Sequence, residues 1–144
     1  DSKKPLLGIL DQIPENLYNG LSFFEITEKL LYHGRLKKDN IEKIEYDLSC
    51  LGIDIELYKH LPIEEISSYV VKALLTIILF NCNFNLLVLD EPTYNFGIAQ
   101  KVMYSDILSK IKEKKHLIIF SHDFEFLKSN CDKIFNIDEV DTNK

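Results

Sequence analysis

Asp90 and Glu91 stand side by side behind four apolar residues, Leu86 to Leu89, and are closed off by Pro92. Ser121, His122 and Asp123 follow a second apolar run, Leu117 to Phe120, and Asp11 and Gln12 follow a third, Pro5 to Leu10. Adjacent carboxylates with a nearby histidine suit chemistry on a nucleoside triphosphate. One carboxylate holds a divalent cation, usually through water. A second positions or deprotonates the attacking water, and a donor senses the terminal phosphate. Asp90, Glu91 and His122 can fill those three roles in that order. The bland alternative is a solvated acidic turn behind a buried strand, with an ordinary histidine at another strand end.

These side chains need elements to position them. The unbroken run Leu86 to Leu89 suits a strand buried on both faces, as in a parallel sheet. Pro92 cannot donate to a ladder and ends it. The acids then lie at the carboxyl end of a central strand, where ligands of open α/β sheets bind. Pro5 to Leu10 reads as a short buried strand, followed by turn residues Pro14, Asn16, Asn19 and Gly20. Leu21 to Tyr32 reads as a helix opened by a Ser22/Glu25 capping box, with Phe23, Ile26 and Leu30 on one face. Lys37 to Leu51 reads as an amphipathic helix bearing Ile41, Ile44, Leu48 and Leu51, stopped by Gly52. Ile66 to Phe80 is almost wholly apolar, and its length favours a buried helix over a strand. After the turn Tyr94 to Gly97, a helix over 98–112 is expected to carry Ile98, Val102, Leu108 and Ile111 inward. A buried strand (Leu117 to Phe120), a short helix (Phe124 to Ser129) and a last strand (Ile134 to Ile137) complete the alternation, which implies right-handed βαβ units.

At 144 residues, 46% hydrophobic and 28% charged, the chain is long enough to bury a core and is composed like a globular protein. Its net charge of −6 gives no broad attraction to phosphate backbones, so no nucleic-acid partner is expected. Cys50, Cys82 and Cys131 are odd in number and far apart, which suits reduced thiols in a cytosolic protein. No apolar run reaches the roughly 20 residues a membrane span needs, and no signal peptide is expected. The chain opens Asp1-Ser2-Lys3-Lys4 without an initiating Met, so a longer protein with a further upstream part is expected.

The order of these features resembles the ATP-binding-cassette (ABC) ATPases. Leu86 to Thr93 (L-L-V-L-D-E-P-T) looks like their Walker B strand with its catalytic glutamate, and Ile118 to Asp123 (I-I-F-S-H-D) like their switch-histidine segment. Asp11-Gln12 looks like their Q-loop, and Tyr18 to Glu25 (Y-N-G-L-S-F-F-E) like the entry to their helical subdomain. The resemblance covers nearly the whole chain. It implies an α/β fold with a partial, mostly parallel P-loop NTPase-like sheet and an inserted helical subdomain. The chain would be one partial ATPase domain, with 1–20 and 84–144 in the RecA-like core and 21–83 in the helical part. By resemblance the cofactors are ATP and Mg²⁺. Asp90, with Gln12, would act on the metal, and Glu91 would activate water. His122 would contact the γ-phosphate, and Gln12 would link the nucleotide to a transport partner.

Three departures qualify this. No glycine is followed by Lys, so no P-loop is present, although in the family it lies upstream of the Q-loop. The signature motif L-S-G-G-Q falls on Ile66-Ser67-Ser68-Tyr69-Val70. There Ser67 matches as a nucleotide-binding residue and both glycines are lost. Those glycines let helix-end amides approach the γ-phosphate held by a partner subunit, and Tyr69 is expected to obstruct that approach. The D-loop aspartate falls on Gly97. The first expectation is an ATP-binding subunit of an ABC transporter, cytoplasmic and peripheral at the inner face of the membrane. It would work with a separate transmembrane subunit and a second ATP-binding subunit. The alternatives are a non-catalytic ABC-like regulatory module and a non-transport ABC ATPase acting in translation or on DNA ends.

Overall fold

The structure, a computed structural model, describes residues 7–137. Three parallel strands form its sheet in the order β1 (Leu7–Leu10), β2 (Leu86–Asp90), β3 (His116–Phe120). Leu10, Leu89 and Ile119 share one register line, so the three strands end together. The first two residues expected in β1, Pro5 and Leu6, lie outside the described residues. Gly8 is required by packing: a Cβ there would meet Leu87 Cδ2 at 2.7 Å and Phe84 Cδ2 at 2.9 Å.

Between β1 and β2 the chain is helical. A single turn, α1 (Glu15–Tyr18), leads to α2 (Phe23–Tyr32). Its expected capping box is present: the Ser22 hydroxyl accepts from the Glu25 amide at 3.2 Å, and the Glu25 carboxylate accepts from the Ser22 amide at 2.8 Å. A 3₁₀ turn precedes α3 (Ile41–Cys50), whose buried face is Ile44 and Leu48. Gly52, at φ +73°, ends it in the left-handed conformation that costs glycine least. The long apolar stretch forms α4 (Ser68–Asn81), buried over most of its surface. It packs against β1, α3 and the next helix, α5 (Ile98–Lys112). α6 (Phe124–Asn130) follows β3 and packs on α5.

One buried cluster runs through all of these layers, from Phe23 and Ile26 through Leu48, Leu74 and Ile78 to Leu10, Leu87, Leu89, Leu108 and Ile111. Three expectations change at its edges. β2 is buried on one face, where Leu87 and Leu89 lie, and only partly on the other, where Leu86 and Val88 lie. That second face continues into Leu7 (45% exposed), Ile9 (44%), Ile118 (44%) and Phe120 (50%), so β3 is half-exposed as well. An apolar run shows that a strand avoids water; it does not say how many layers cover it. α5 turns inward with Tyr104, Ile107, Leu108 and Ile111, leaving Ile98 (86%) and Val102 (58%) outside. Spacings of three, four and seven define that stripe, and Tyr104 belongs to it because its hydroxyl finds a buried partner. Ile134 to Ile137 pair with no strand among the described residues and are exposed. An isolated apolar tetrapeptide has no ladder to join, so periodicity alone does not make it a strand.

Candidate functional site

The common carboxyl edge of the sheet collects the residues of interest. Gln12 follows β1, Asp90 ends β2 with Glu91 next, and Ser121-His122 follow β3. Asp90 pairs in register with Phe120 and lies exposed on the uncovered side of the sheet. Side chains alternate along a strand, but at Glu91 the alternation breaks. Its φ of +44° is left-handed, a conformation that costs a non-glycine residue roughly 1 kcal/mol or more. The Glu91 amide donates to the Phe120 carbonyl at 2.8 Å. Its carboxylate accepts from the His122 amide at 3.0 Å and also meets His122 Nδ1. A carboxylate is an acceptor, so Nδ1 carries the proton and Nε2 is left facing outward. The imidazole is fully exposed, while the Glu91 carboxylate is largely covered.

The histidine segment is anchored from behind. Asp123 caps α6 by accepting from the Phe126 amide at 3.1 Å, and Lys101 Nζ of α5 lies 2.6 Å from Asp123 Oδ2. The Lys101 hydrogen bond, then the Phe126 amide, hold the Asp123 carboxyl below the usual aspartate range. The turn after β2 is anchored by aromatic packing. Phe96 stacks edge-on against Tyr69 (5.2 Å between centroids) and Tyr104 (5.7 Å). Tyr69 and Tyr104 both have raised phenol pKa values through burial. The Tyr69 hydroxyl is buried with no hydrogen-bond partner among the described residues. Gly97, at φ −72°, is the ordinary N-cap of α5, and its amide donates to Gln100 Oε1 at 2.9 Å.

Of the expected site residues, the structure joins Glu91 to His122 directly and sets Asp90 and Gln12 on the same sheet edge. Ser67 is on another element, as the N-cap of α4. In the sequence Lys72 reads only as an interruption of an apolar stretch. It is 1% exposed and donates to the Glu91 carbonyl at 3.2 Å. Mg²⁺ keeps several waters and takes one or two carboxylates together with phosphate oxygens. The Asp90 carboxylate and the Gln12 side-chain amide, at the same edge of the sheet, are oxygen donors of the kind so sparse a set uses. No cluster of three or more His, Cys, Asp or Glu poised to hold a metal occurs among the described residues, and no helix among them is long and apolar enough to cross a membrane.

No protein-family model matches the chain. Curated proteins similar to it are named as ATP-binding proteins, two of them as ABC transporter ATP-binding proteins. One is the zinc import ATP-binding protein ZnuC of Buchnera aphidicola subsp. Baizongia pistaciae, 27% identical over 124 residues, covering 85% of this chain and 45% of that protein. Among solved structures, cbiO1 from Clostridium perfringens, described as part of the ABC transporter complex cbiONQ, superposes with a TM-score of 0.67 at 26% identity. That match covers 88% of this chain and 51% of cbiO1. The dimeric bacterial ABC transporter cassette MJ0796 matches in fold with a TM-score of 0.65 at 16% identity, covering 88% of this chain and 56% of that one. The chain spans about half the length of the curated relatives it matches. Its architecture is that of the corresponding part of an ABC ATPase cassette, a P-loop NTPase fold.

Proposed function

We propose that the chain is the water-activating part of the ATP-binding subunit of an ABC transporter, coupling ATP binding and hydrolysis to transport through a separate membrane subunit. The observation that carries this reading is the Glu91 carboxylate held by the amide and ring of His122 at the sheet edge that also bears Asp90. Asp90 and Gln12 would hold Mg²⁺ with ATP, and the metal would neutralise charge developing on the phosphates. Glu91 would orient a water and accept its proton, the work of a general base placed within hydrogen-bond reach. His122, held through Nδ1, would turn its ring towards the terminal phosphate. The glycine-rich phosphate cradle would come from outside this chain, since none of its glycines precedes a lysine. A second ATP-binding subunit would face Ser67 at the mouth of α4, and the membrane subunit would dock on the region of α2 and α3. On this reading the protein would work at the cytoplasmic face of a membrane. The likeness to ZnuC, a zinc import ATP-binding protein, and to cbiO1, part of an ABC transporter complex, supports this reading.

The test is Glu91→Gln in the protein that carries its phosphate-binding segment. Turnover is expected to fall by at least about 100-fold, the lower end for loss of a positioned base, while ATP binding measured by calorimetry persists. Unchanged turnover rules out Glu91 as the base. A second reading, a non-catalytic ABC-like module, is favoured by Tyr69, whose ring lies packed on Phe96 where the family signature has glycine. ATP binding with no turnover in the unsubstituted protein would select that second reading.

A further inference from the structure

We propose that Lys72 is the positioning residue for Glu91. This inference rests on reading Glu91 as the water-activating carboxylate. Pro92 follows Glu91, and a residue before proline is disfavoured in the right-handed helical region. The chain takes the left-handed alternative at φ +44°, which turns Glu91 out of the strand's alternation and towards His122. A conformation of this kind persists only where the surroundings over-determine it. Two hydrogen bonds do so from opposite sides of the residue. The Glu91 amide to the Phe120 carbonyl, 2.8 Å, fixes the peptide plane before it. Lys72 Nζ to the Glu91 carbonyl, 3.2 Å, fixes the plane after it. With both planes set, the direction of the Glu91 side chain is set.

Lys72 is suited to the task by its own placement. It sits one turn into α4, 1% exposed, with its ammonium 5.5 Å from the centre of the Phe96 ring and 5.8 Å from that of Tyr94. Cation–π contact with two rings of the turn after Glu91 steers the ammonium towards that turn. Its main-chain carbonyl accepts from the Thr76 hydroxyl at 2.6 Å, and Thr76 Oγ1 in turn lies 2.8 Å from the Tyr104 hydroxyl. α4, the turn and α5 are thus tied together at the point where the lysine reaches the carbonyl. Ser67 caps the same helix, so Lys72 connects the mouth of α4 to the backbone of Glu91.

The test uses the whole 144-residue chain and reads the His122 amide, which donates to Glu91 Oε1. Amide exchange is followed by NMR in Lys72→Met, Lys72→Arg and Glu91→Ala. Glu91→Ala gives the rate of the released amide. Lys72→Met is expected to raise His122 exchange roughly fivefold to tenfold, the loss of about one hydrogen bond's worth of protection, with the Phe126 and Leu89 amides unchanged. Lys72→Arg, which can still donate to the carbonyl, is expected to keep the native rate. Native protection of His122 in Lys72→Met overturns the proposal. No change in Glu91→Ala instead sinks the Glu91–His122 pairing, and with it the functional reading, so the two failures are distinct. If Lys72→Met does not fold, an experimental structure of the unsubstituted chain decides. Lys72 Nζ beyond hydrogen-bond reach of the Glu91 carbonyl, about 3.5 Å, overturns the proposal, and a distance within that reach supports it.

Discussion

Tyr104 shows how much one atom can decide at the residue scale. Its ring is fully buried between Phe96 and Phe126, and its hydroxyl lies 2.8 Å from Thr76 Oγ1. Thr76 gives its own proton to the Lys72 carbonyl, so Tyr104 is the donor in that pair. Tyr104→Phe keeps the ring and removes the donor, and should cost about 1 kcal/mol, the net value of a buried hydrogen bond. Urea denaturation measures it. A cost near zero would show that the Thr76 hydroxyl is satisfied without the tyrosine. Neither Tyr104 nor Lys72 was legible in the sequence as part of this network. Hydrophobic spacing does not register a polar tip that finds a buried partner. By contrast, the acids of Asp90-Glu91 and the imidazole of His122 stood out because apolar runs deliver them and Pro92 fixes where the strand must end. The left-handed turn that brings Glu91 to His122 was not legible, since it depends on contacts from β3 and α4.

Among the elements, the segment after β3 opens on one cap and is tied to α5 by one ion pair, beside the packing of Phe126. Asp123 has its carboxyl pKa lowered by Lys101 and by the Phe126 amide. A group whose folded pKa lies below its unfolded value contributes stability above the unfolded pKa and loses it as pH falls. The anchor should therefore weaken as pH drops from about 5 through the ordinary aspartate value of about 3.9. Thermal melts between neutral and acid pH check this. Lys101→Met should flatten that acid slope, and an unaltered slope would mean that other carboxylates set it. Element boundaries were readable where local chemistry defines them. The Ser22/Glu25 box starts α2, Gly52 stops α3, and the length of the apolar stretch marks α4 as a helix. Of the four residues expected inward on α5, Leu108 and Ile111 are buried, whereas Ile98 and Val102 sit on its uncovered first turns, which hydrophobicity alone does not reveal. Ile134 to Ile137 failed as a strand for a tertiary reason: pairing is supplied by a neighbour, and none stands there among the described residues.

Among the described residues, helices cover one face of the sheet and leave the other about half-exposed. Leu7 and Ile9 of β1 and Ile118 and Phe120 of β3 flank the partly buried Leu86 and Val88 of β2 in one apolar surface. Exposed apolar patches of this kind drive association. Replacing Ile118 and Phe120 with Thr should change thermal stability by less than about 1 kcal/mol, as expected for substitutions outside the core. It should also lower concentration-dependent self-association measured by sedimentation. Association that persists unchanged would place the sticky surface elsewhere. The parallel sheet itself has a consequence for the order in which the chain assembles. Leu86 reaches His116 across a single helix, whereas Leu7 must find Leu86 across a separation of roughly 80 residues, and closing so long a loop carries an entropic cost that local contacts do not. Helices α2 to α4 shorten that gap as they form. β1 can join the sheet cheaply only once they have folded, and it carries Gln12 to the site edge as it does so.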